Sequence, residues 1–318
     1  ATRSIDLQVY QFKSDASGRA LMRALRDAAA RGVRVRLLLD DLYTAGDDAL
    51  WLGLAASPGV ELRLFNPFLA GRDSLPGRLI DSALGEDRLH RRMHNKLLVA
   101  DGAWALAGGR NIADAYFLPT AQGSFVDIDV LVAGVLVPQM TQAFDLYWNS
   151  GYSHELRSVV DEPLAAADRR EAFAQALDRS CLSAECTAVA QLRQADVALT
   201  QAFDRGRLAL RLAQASVAYD SPAKIENDEV AMDIAMLATN GAQVRLLVAQ
   251  AIRQAQRELM IVSPYLIPGP VGVAGLGALR QRGVQVTMLT NSLAATDEPT
   301  VHLGYRKYRA ALLREGVA

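Results

Sequence analysis

The sequence contains few of the residues that mark secreted, metal-binding or fibrous proteins. Its 318 residues include only two cysteines, Cys181 and Cys186, which are too few for a disulfide framework and are weak evidence for a metal site. Only 11 residues are prolines and 51% are hydrophobic, which excludes a disordered or fibrous chain. No apolar run approaches the roughly 20 residues that cross a bilayer. Any contact with a membrane is therefore expected to be peripheral.

The sequence also lacks an excess of charge of either sign. It has 34 basic and 35 acidic residues, which gives a formal net charge of −1. Proteins that bind nucleic acids usually carry a basic excess because they neutralise phosphates. The charge balance therefore disfavours nucleic acid as a partner, although a local basic cleft remains compatible with it.

Periodicity near the start of the chain predicts a strand, a helix and a second strand. Apolar and polar residues alternate over 5–10, and a helical pattern over 19–31 stops at Gly32. A β-branched and leucine-rich strand follows over 33–39 and ends in Asp40-Asp41. This order predicts a parallel pair of strands joined by a crossover helix.

A similar succession returns about 250 residues later. A helical run over 243–256 precedes a strand, and Gly283 again separates the end of a helix from a strand. We interpret the similarity as an internal duplication of an α/β domain. Two unrelated βαβ units with the same helix–glycine–strand order are the alternative. The predicted domains are 1–153 and 229–318, joined by a helical connection over 154–228 in which both cysteines are buried or incidental side chains.

The segment 94–111 concentrates the residues that can do chemistry. A short strand is predicted over 94–99, and it places His94 and Lys96 on one face because they are two residues apart. The dipeptide Asp101-Gly102 predicts a hairpin turn, after which the chain returns as a strand over 103–107.

The end of this segment is suited to holding an anion. Gly108-Gly109 allows a close approach of the backbone, and Asn111 is expected to cap the next helix. An ammonium, a carboxamide and backbone N–H groups then converge on a position that suits a phosphate. The neutral ring nitrogen of His94 is free to act as a nucleophile towards phosphorus.

The spacing His-x-Lys-x4-Asp-x6-Gly-Gly-x-Asn resembles the signature motif of the phospholipase D superfamily. The flanking segments 35–41 and 108–117 most resemble the bacterial cardiolipin synthase branch, and 263–268 resembles the start of that family's second half. The resemblance implies an α/β fold of two duplicated α/β/α sandwich domains, with mixed, largely parallel sheets and a helical insert between them.

The resemblance also implies roles for individual residues. His94 matches the nucleophile that forms a phosphohistidine, and Lys96 and Asn111, with Gly109, match the phosphate-binding positions. Asp101 matches the aspartate of the motif, whose role is more structural and which is expected to pair with nearby basic groups.

A nucleophilic histidine needs a carboxylate on its other ring nitrogen. Asp127 is the first candidate and Asp129 the second, because they share one face of a predicted strand; a solvated strand face is the alternative. His90 is expected to lie at the surface, and His154 and His302 lack partners at a recognisable spacing.

The mechanism that the resemblance implies uses two such motifs, whereas the sequence contains one. No second His-x-Lys-x4-Asp occurs after residue 111, and equal spacing in the second copy would place it beyond residue 318. The chain also begins with Ala1 instead of Met. We therefore expect a piece of a longer protein with little turnover alone; a pair of chains that each donate one motif is the alternative.

Three function classes remain open at this point. The first is phosphatidyl transfer between phospholipids that makes cardiolipin, without metal or cofactor, at the surface of a bacterial membrane. The second is a nuclease of the same superfamily, for which Arg88, Arg91 and Arg92 would hold phosphates. The third is a non-catalytic module that binds phosphate or lipid. No obligate protein partner is inferred, and the segment 64–69 is a candidate membrane-docking surface, with a packed strand end as its alternative.

Overall fold

The computed structural model describes residues 1–68, 72, 74, 76–77, 92–119, 123–161, 164–180, 184–195, 197–223 and 243–318. The chain forms two compact units, residues 1–229 and 230–318.

The first unit is built on a seven-stranded sheet. Its strands are β1 (Ser4–Val9), β2 (Arg34–Asp40), β3 (Val60–Phe65), β4 (Leu97–Ala100), β5 (Trp104–Gly108), β6 (Asp129–Ala133) and β7 (Ser153–Glu155). Their order in the sheet is β6-β5-β4-β1-β2-β3-β7. The first strand of the chain, β1, is therefore central, and the motif hairpin β4–β5 lies beside it.

The expected α/β class with a mixed sheet is confirmed, but parallel pairing is less extensive than expected. Among the described strands of this sheet, β1–β2 and β2–β3 are the parallel pairs. The β1–β4, β4–β5, β5–β6 and β3–β7 pairs are antiparallel. Crossover helices allow parallel pairing of β1, β2 and β3, whereas the short turn between β4 and β5 imposes antiparallel pairing of these two strands.

Helices cover both faces of this sheet. They are α1 (Ala16–Ala30), α2 (Asp48–Ala55), α3 (Asp114–Phe117), α4 (Val137–Trp148), α5 (Leu156–Val159), α6 (Ala166–Ser180), α7 (Ala184–Ala195) and α8 (Val197–Asp204). Residues of α1, α2 and α6 share one apolar core with one face of the sheet. Residues of α4 share a second core with the opposite face. Consequently β2 is buried on both sides, with Leu37 and Leu38 in different cores.

The region expected to be purely helical begins with a strand. His154 lies in β7, opposite Leu64 of β3, so this residue belongs to the first sheet. Three residues are too short a run for periodicity to distinguish a strand from a helix.

The second unit repeats the start of the first. It contains α9 (Gln243–Gln254), β8 (Glu258–Val262), α10 (Gly269–Gln281), β9 (Gln285–Leu289) and α11 (Pro299–Arg314). Strands β8 and β9 are parallel, as β1 and β2 are.

The duplication extends to individual hydrogen bonds at the end of the crossover helix. Gly32 has φ 87° and Gly283 has φ 85°. The amide of Val33 donates to the carbonyl of Ala28, and the amide of Val284 donates to that of Leu279, both at 3.1 Å. This is the Schellman type of helix end, in which a left-handed residue lets the chain turn back to satisfy the last carbonyls. The shared end explains why both helices lead directly into a parallel strand.

Replacement of either glycine by alanine is expected to destabilise its own unit. Gly32→Ala and Gly283→Ala should each lower the free energy of unfolding by about 1 kcal/mol, because a Cβ is disfavoured in the left-handed region. Chemical denaturation followed by circular dichroism measures the change. Gly275→Ala within α10 is the matched control, since open space surrounds its Cβ position. A similar loss at Gly275 and Gly283 would contradict the argument.

Candidate functional site

His94 and Lys96 lie just before β4, because its pairing with β1 ends at Gln8 and Leu97. The strand predicted over 94–99 therefore begins three residues late. The two side chains nevertheless meet on one aromatic ring, that of Tyr10. The imidazole of His94 stacks on this ring with centroids 3.8 Å apart and an interplanar angle of 21°. The Lys96 ammonium lies 5.3 Å from the same ring centroid.

Lys96 is partly withdrawn from water beside two carboxylates. Its Nζ donates to the carbonyl of His94 at 2.8 Å. Burial lowers the pKa of Lys96, and the charges of Asp127 and Asp40 oppose this shift. An ammonium group in this position is suited to bind a phosphate.

Gly108, the last residue of β5, and Gly109 make room for the two candidate carboxylates. A Cβ on Gly109 would collide with the Asp127 carboxylate, whose Cγ lies 2.7 Å from that position. A Cβ on Gly108 would collide with Asp129, to which it is paired in the sheet. Neither glycine has a positive φ. Close packing, and not backbone conformation, therefore requires glycine here, and the structure identifies what the backbone approaches.

Arg110 connects the same two aspartates. Its Nη1 lies 3.4 Å from Oδ2 of Asp129, and its Nη2 donates to the backbone carbonyl of Asp127 at 3.3 Å. The predicted strand containing both aspartates begins only at Asp129, so Asp127 precedes it. The contacts place Asp127 beside Gly109 and within electrostatic reach of Lys96, while its role towards His94 stays a prediction. Arg110 was missed because an arginine between glycine and asparagine carries no distinctive spacing.

Asn111 is buried and does not cap the next helix. Its Oδ1 accepts a hydrogen bond from the amide of Gln11 at 3.2 Å, and its Nδ2 donates to the Tyr116 hydroxyl at 2.8 Å. The cap position of α3 is Ala113. The expected capping role is therefore wrong, because the asparagine instead joins the chain after β1 to the chain after β5. Its role as a phosphate ligand stays a prediction.

Asp101 lies at the opposite end of β4 from Lys96, about 15 Å away at the rise of an extended strand. It has φ 57° in the hairpin turn. Its carboxylate accepts hydrogen bonds from the amides of Thr2, Arg3 and Ser4 at 2.7–3.0 Å. The guanidinium of Arg3 donates to the backbone carbonyl of Asp101, not to its carboxylate. The expected structural role agrees with this geometry, but the recorded partners of the carboxylate are backbone amides and the Thr2 hydroxyl instead of basic side chains.

These hydrogen bonds have an electrostatic consequence. Burial by itself raises the pKa of Asp101, but the amides of Ser4, Arg3 and Thr2 outweigh it and hold the pKa well below its ordinary value. The ionised carboxylate therefore stabilises the folded state above about pH 4, the unfolded value, and this contribution is lost as the pH falls through the folded-state value.

The Asp101→Asn variant should consequently be less stable by about 1–2 kcal/mol at pH 7, because hydrogen bonds to a charged acceptor are lost. The difference from the wild type should shrink as the pH falls below about 4. Urea unfolding at several pH values measures it. Asp178→Asn, at an exposed position of α6, is the matched control. A deficit that is independent of pH would contradict the electrostatic explanation.

A buried ion pair lies immediately before His94. The guanidinium of Arg92 contacts the Asp40 carboxylate at 2.7 and 2.8 Å, and the amide of Met93 donates to the other Asp40 oxygen at 2.8 Å. Burial raises the pKa of Asp40, and Arg92 opposes that rise. Arg92 is thus engaged by protein groups. The sequence showed the pair Asp40-Asp41 at a strand end but offered no signal for its partner.

Other sequence-based candidates lie away from this site or outside the described residues. The segment proposed for membrane docking is buried from Leu64 to Phe68, so that proposal is wrong and the packed alternative is correct. His154 is exposed on β7, and His302 contacts Tyr305 on α11. Cys186 is half-buried on α7. Five residues named in the sequence analysis lie outside the described ranges: Leu69, Arg88, His90, Arg91 and Cys181.

Within the described ranges, no three side chains of His, Cys, Asp or Glu are grouped so that they could hold a metal ion. No helix there combines the length and apolar character that crossing a membrane requires.

Comparisons with known proteins agree with the fold and the motif. Residues 1–148 match the family model described as "Cardiolipin synthase, PLD-like domain". Over its whole length the chain is 36% identical to cardiolipin synthase C of Escherichia coli (strain K12), of which it covers 63%. It is 30% identical over 157 residues to the major cardiolipin synthase of Bacillus subtilis (strain 168), covering 49% of this chain and 30% of the relative.

A solved structure has a similar fold over the whole chain. The crystal structure of phosphatidylserine synthase from Haemophilus influenzae Rd KW20 is matched over 100% of this chain and 67% of that one. The TM-score is 0.54 and the sequence identity is 12%. At this identity the match supports the fold alone.

The family model that matches residues 1–148 describes a phospholipase D-like domain, in agreement with the fold and the motif. The matching family model is that of cardiolipin synthases, so the resemblance inferred from the motif is confirmed. The chain spans about three fifths of the length of the first curated relatives that it matches.

Proposed function

We propose that this protein transfers a phosphatidyl group from one phospholipid to the hydroxyl group of another and so makes cardiolipin. The observation that carries the proposal is the meeting of His94 and Lys96 on the ring of Tyr10. This arrangement brings a nucleophile and a phosphate-binding cation together in a domain similar to that of cardiolipin synthases.

The proposed first step is attack of a His94 ring nitrogen on the phosphorus of a phospholipid. An N–P bond forms, the P–O bond to the leaving alcohol breaks, and the alcohol takes up a proton. Lys96 stabilises the negative charge that develops on the phosphoryl oxygens, with Asn111 and the backbone at Gly109 as further donors. Asp127, or else Asp129, orients the imidazole as in other histidine–carboxylate pairs.

In the second step a hydroxyl group of another lipid, such as phosphatidylglycerol, attacks the phosphohistidine. The new P–O bond forms as the N–P bond breaks and the hydroxyl loses its proton. Water in place of the alcohol would give hydrolysis. The proposed site of action is a membrane surface, approached peripherally, because both substrates are lipids.

The covalent step can be tested on the chain at stoichiometric concentration. Incubation with vesicles of phosphatidylglycerol should add a phosphatidyl group to the chain, detected by intact mass and located on His94 after proteolysis. His94→Asn should abolish the adduct because it removes the nucleophile, whereas His302→Asn in the second unit should retain it. Adduct formation by His94→Asn would reject the assigned nucleophile.

A parallel incubation distinguishes the function classes. Vesicles with and without phosphatidylethanolamine identify the donor through the lipid products, and a labelled oligonucleotide reports nuclease activity. Cleavage of the oligonucleotide without any lipid adduct would favour the nuclease. Lipid binding that survives in His94→Asn, without an adduct in the wild type, would favour a non-catalytic module.

We also propose that one motif is insufficient for turnover. The leaving alcohol of the first step can take its proton from water, whereas the incoming hydroxyl must lose its proton to a second histidine before it attacks, so the chain alone stops at the adduct. The sequence contains a single His-x-Lys-x4-Asp motif. The chain alone should therefore make little or no cardiolipin in multiple-turnover assays. A fusion to the residues of the Escherichia coli relative that lie beyond the match should be faster. Rapid turnover by a verified monomer of the chain alone would contradict this prediction.

A further inference from the structure

Tyr10 takes no part in the proposed bond-forming steps, but it contacts the two residues that do. It directly follows β1, the central strand, and is in contact with three functional groups. His94 stacks on its ring, the Lys96 ammonium lies 5.3 Å from its centroid, and the Tyr43 ring meets it edge-on at 5.2 Å and 89°. The phenol ring is therefore a common surface for the nucleophile and the cation.

The Tyr10 ring is itself held in place. Its side chain has a hydrogen bond with that of Tyr43, and burial, followed by the nearby charges of Tyr43 and Asp40, raises its pKa. The hydroxyl therefore remains protonated at neutral pH. Tyr43 lies in the short turn Asp41–Tyr43, whose entry is capped by the Asp40 carboxylate through the amide of Leu42 at 3.0 Å.

The same Asp40 carboxylate also accepts from the amide of Met93, the residue before His94. Two sets of contacts thus connect the buried Asp40 carboxylate to His94. The first passes through Met93 to the backbone of His94, and the second passes through Tyr43 and Tyr10 to the imidazole ring. The backbone and the plane of the imidazole are fixed separately.

The plane of the ring matters because the lone pair that attacks phosphorus lies in that plane. A histidine ring can rotate about its Cβ–Cγ bond, and an aromatic ring stacked on its face limits this rotation. A stacked aromatic pair is stabilised beyond the effect of its buried area, and this favours one ring orientation. The face of a phenol also attracts the positive charge that the imidazole acquires when the N–P bond forms.

We propose that Tyr10 is the positioning residue of this site: its ring fixes the plane of the His94 imidazole and directs the attacking nitrogen at a phosphate bound by Lys96. The part of this role that concerns phosphate rests on the proposed function. The stacking itself does not.

Nuclear magnetic resonance of the 318-residue chain tests the stacking without any activity, since only four histidines contribute ring signals. His94→Asn identifies the His94 signals by their loss. A stacked phenol shifts the imidazole protons upfield, so Tyr10→Leu should move the His94 signals towards those of an unstacked histidine. Tyr10→Phe should retain most of the shift because the ring remains.

The chain provides a matched control in its second unit. His302 meets Tyr305 with ring centroids 5.8 Å apart. Tyr305→Leu should move the His302 signals and leave those of His94 unchanged. An unchanged His154 signal, from β7 of the same sheet as β1, verifies that Tyr10→Leu is folded. Unchanged His94 signals in folded Tyr10→Leu would overturn the proposal; if that variant does not fold, a lost shift in Tyr10→Phe would do the same.

The rate of adduct formation tests the consequence for chemistry. Tyr10→Leu should form the phosphatidyl adduct about 10- to 100-fold more slowly at saturating lipid, because a misdirected nucleophile loses that much. The lipid concentration at half saturation should change little, and Tyr10→Phe should restore most of the rate. Equal rates in wild type and Tyr10→Leu would contradict the role of Tyr10 alone, whereas no adduct in the wild type would reject the proposed function.

Discussion

The candidate site depends on the buried carboxylate of Asp40. One oxygen of this carboxylate accepts from the Arg92 guanidinium and the amide of Leu42, and the other accepts from the amide of Met93. Removing one member of such a pair leaves a buried charge uncompensated, which costs several kcal/mol. The position of the histidine motif is therefore set at the end of β2, two strands away from β4 in the sheet and more than 50 residues away along the chain.

The site combines this rigid centre with close packing at its edge. Gly108 and Gly109 leave just enough room for Asp129 and Asp127, and Arg110 binds to both. Negative charge close to Lys96 would weaken an anion site if it were not balanced. The guanidinium of Arg110 offsets part of this negative charge, which is compatible with the proposed binding of a phosphate beside Lys96.

The sequence predicted those parts of the structure that depend on local pattern or on a fixed spacing. The first βαβ unit, its repetition and the hairpin at Asp101-Gly102 all follow from periodicity and turn chemistry. The partners of Asp101, Asn111 and Asp40 did not follow from it, because each is about 50 to 100 residues distant in the chain. Tyr10 was seen only as the end of an amphipathic strand, since one aromatic residue in that position is ordinarily part of a core. The docking surface assigned to 64–69 failed because a short apolar run at a strand end does not distinguish an exposed loop from a buried one.

The carboxylate of Asp101 also bears on how the protein is made. It holds the first residues of the chain through contacts 97 to 99 residues apart in sequence. During synthesis the start of β1 emerges long before its partner, so the strand at the centre of the sheet waits unpaired on one edge until the hairpin β4–β5 has left the ribosome. An unpaired strand edge is a site of misassembly in a growing chain. The order of translation therefore leaves one edge of β1, the strand that leads to Tyr10, unpaired until residues 97–100 have been made.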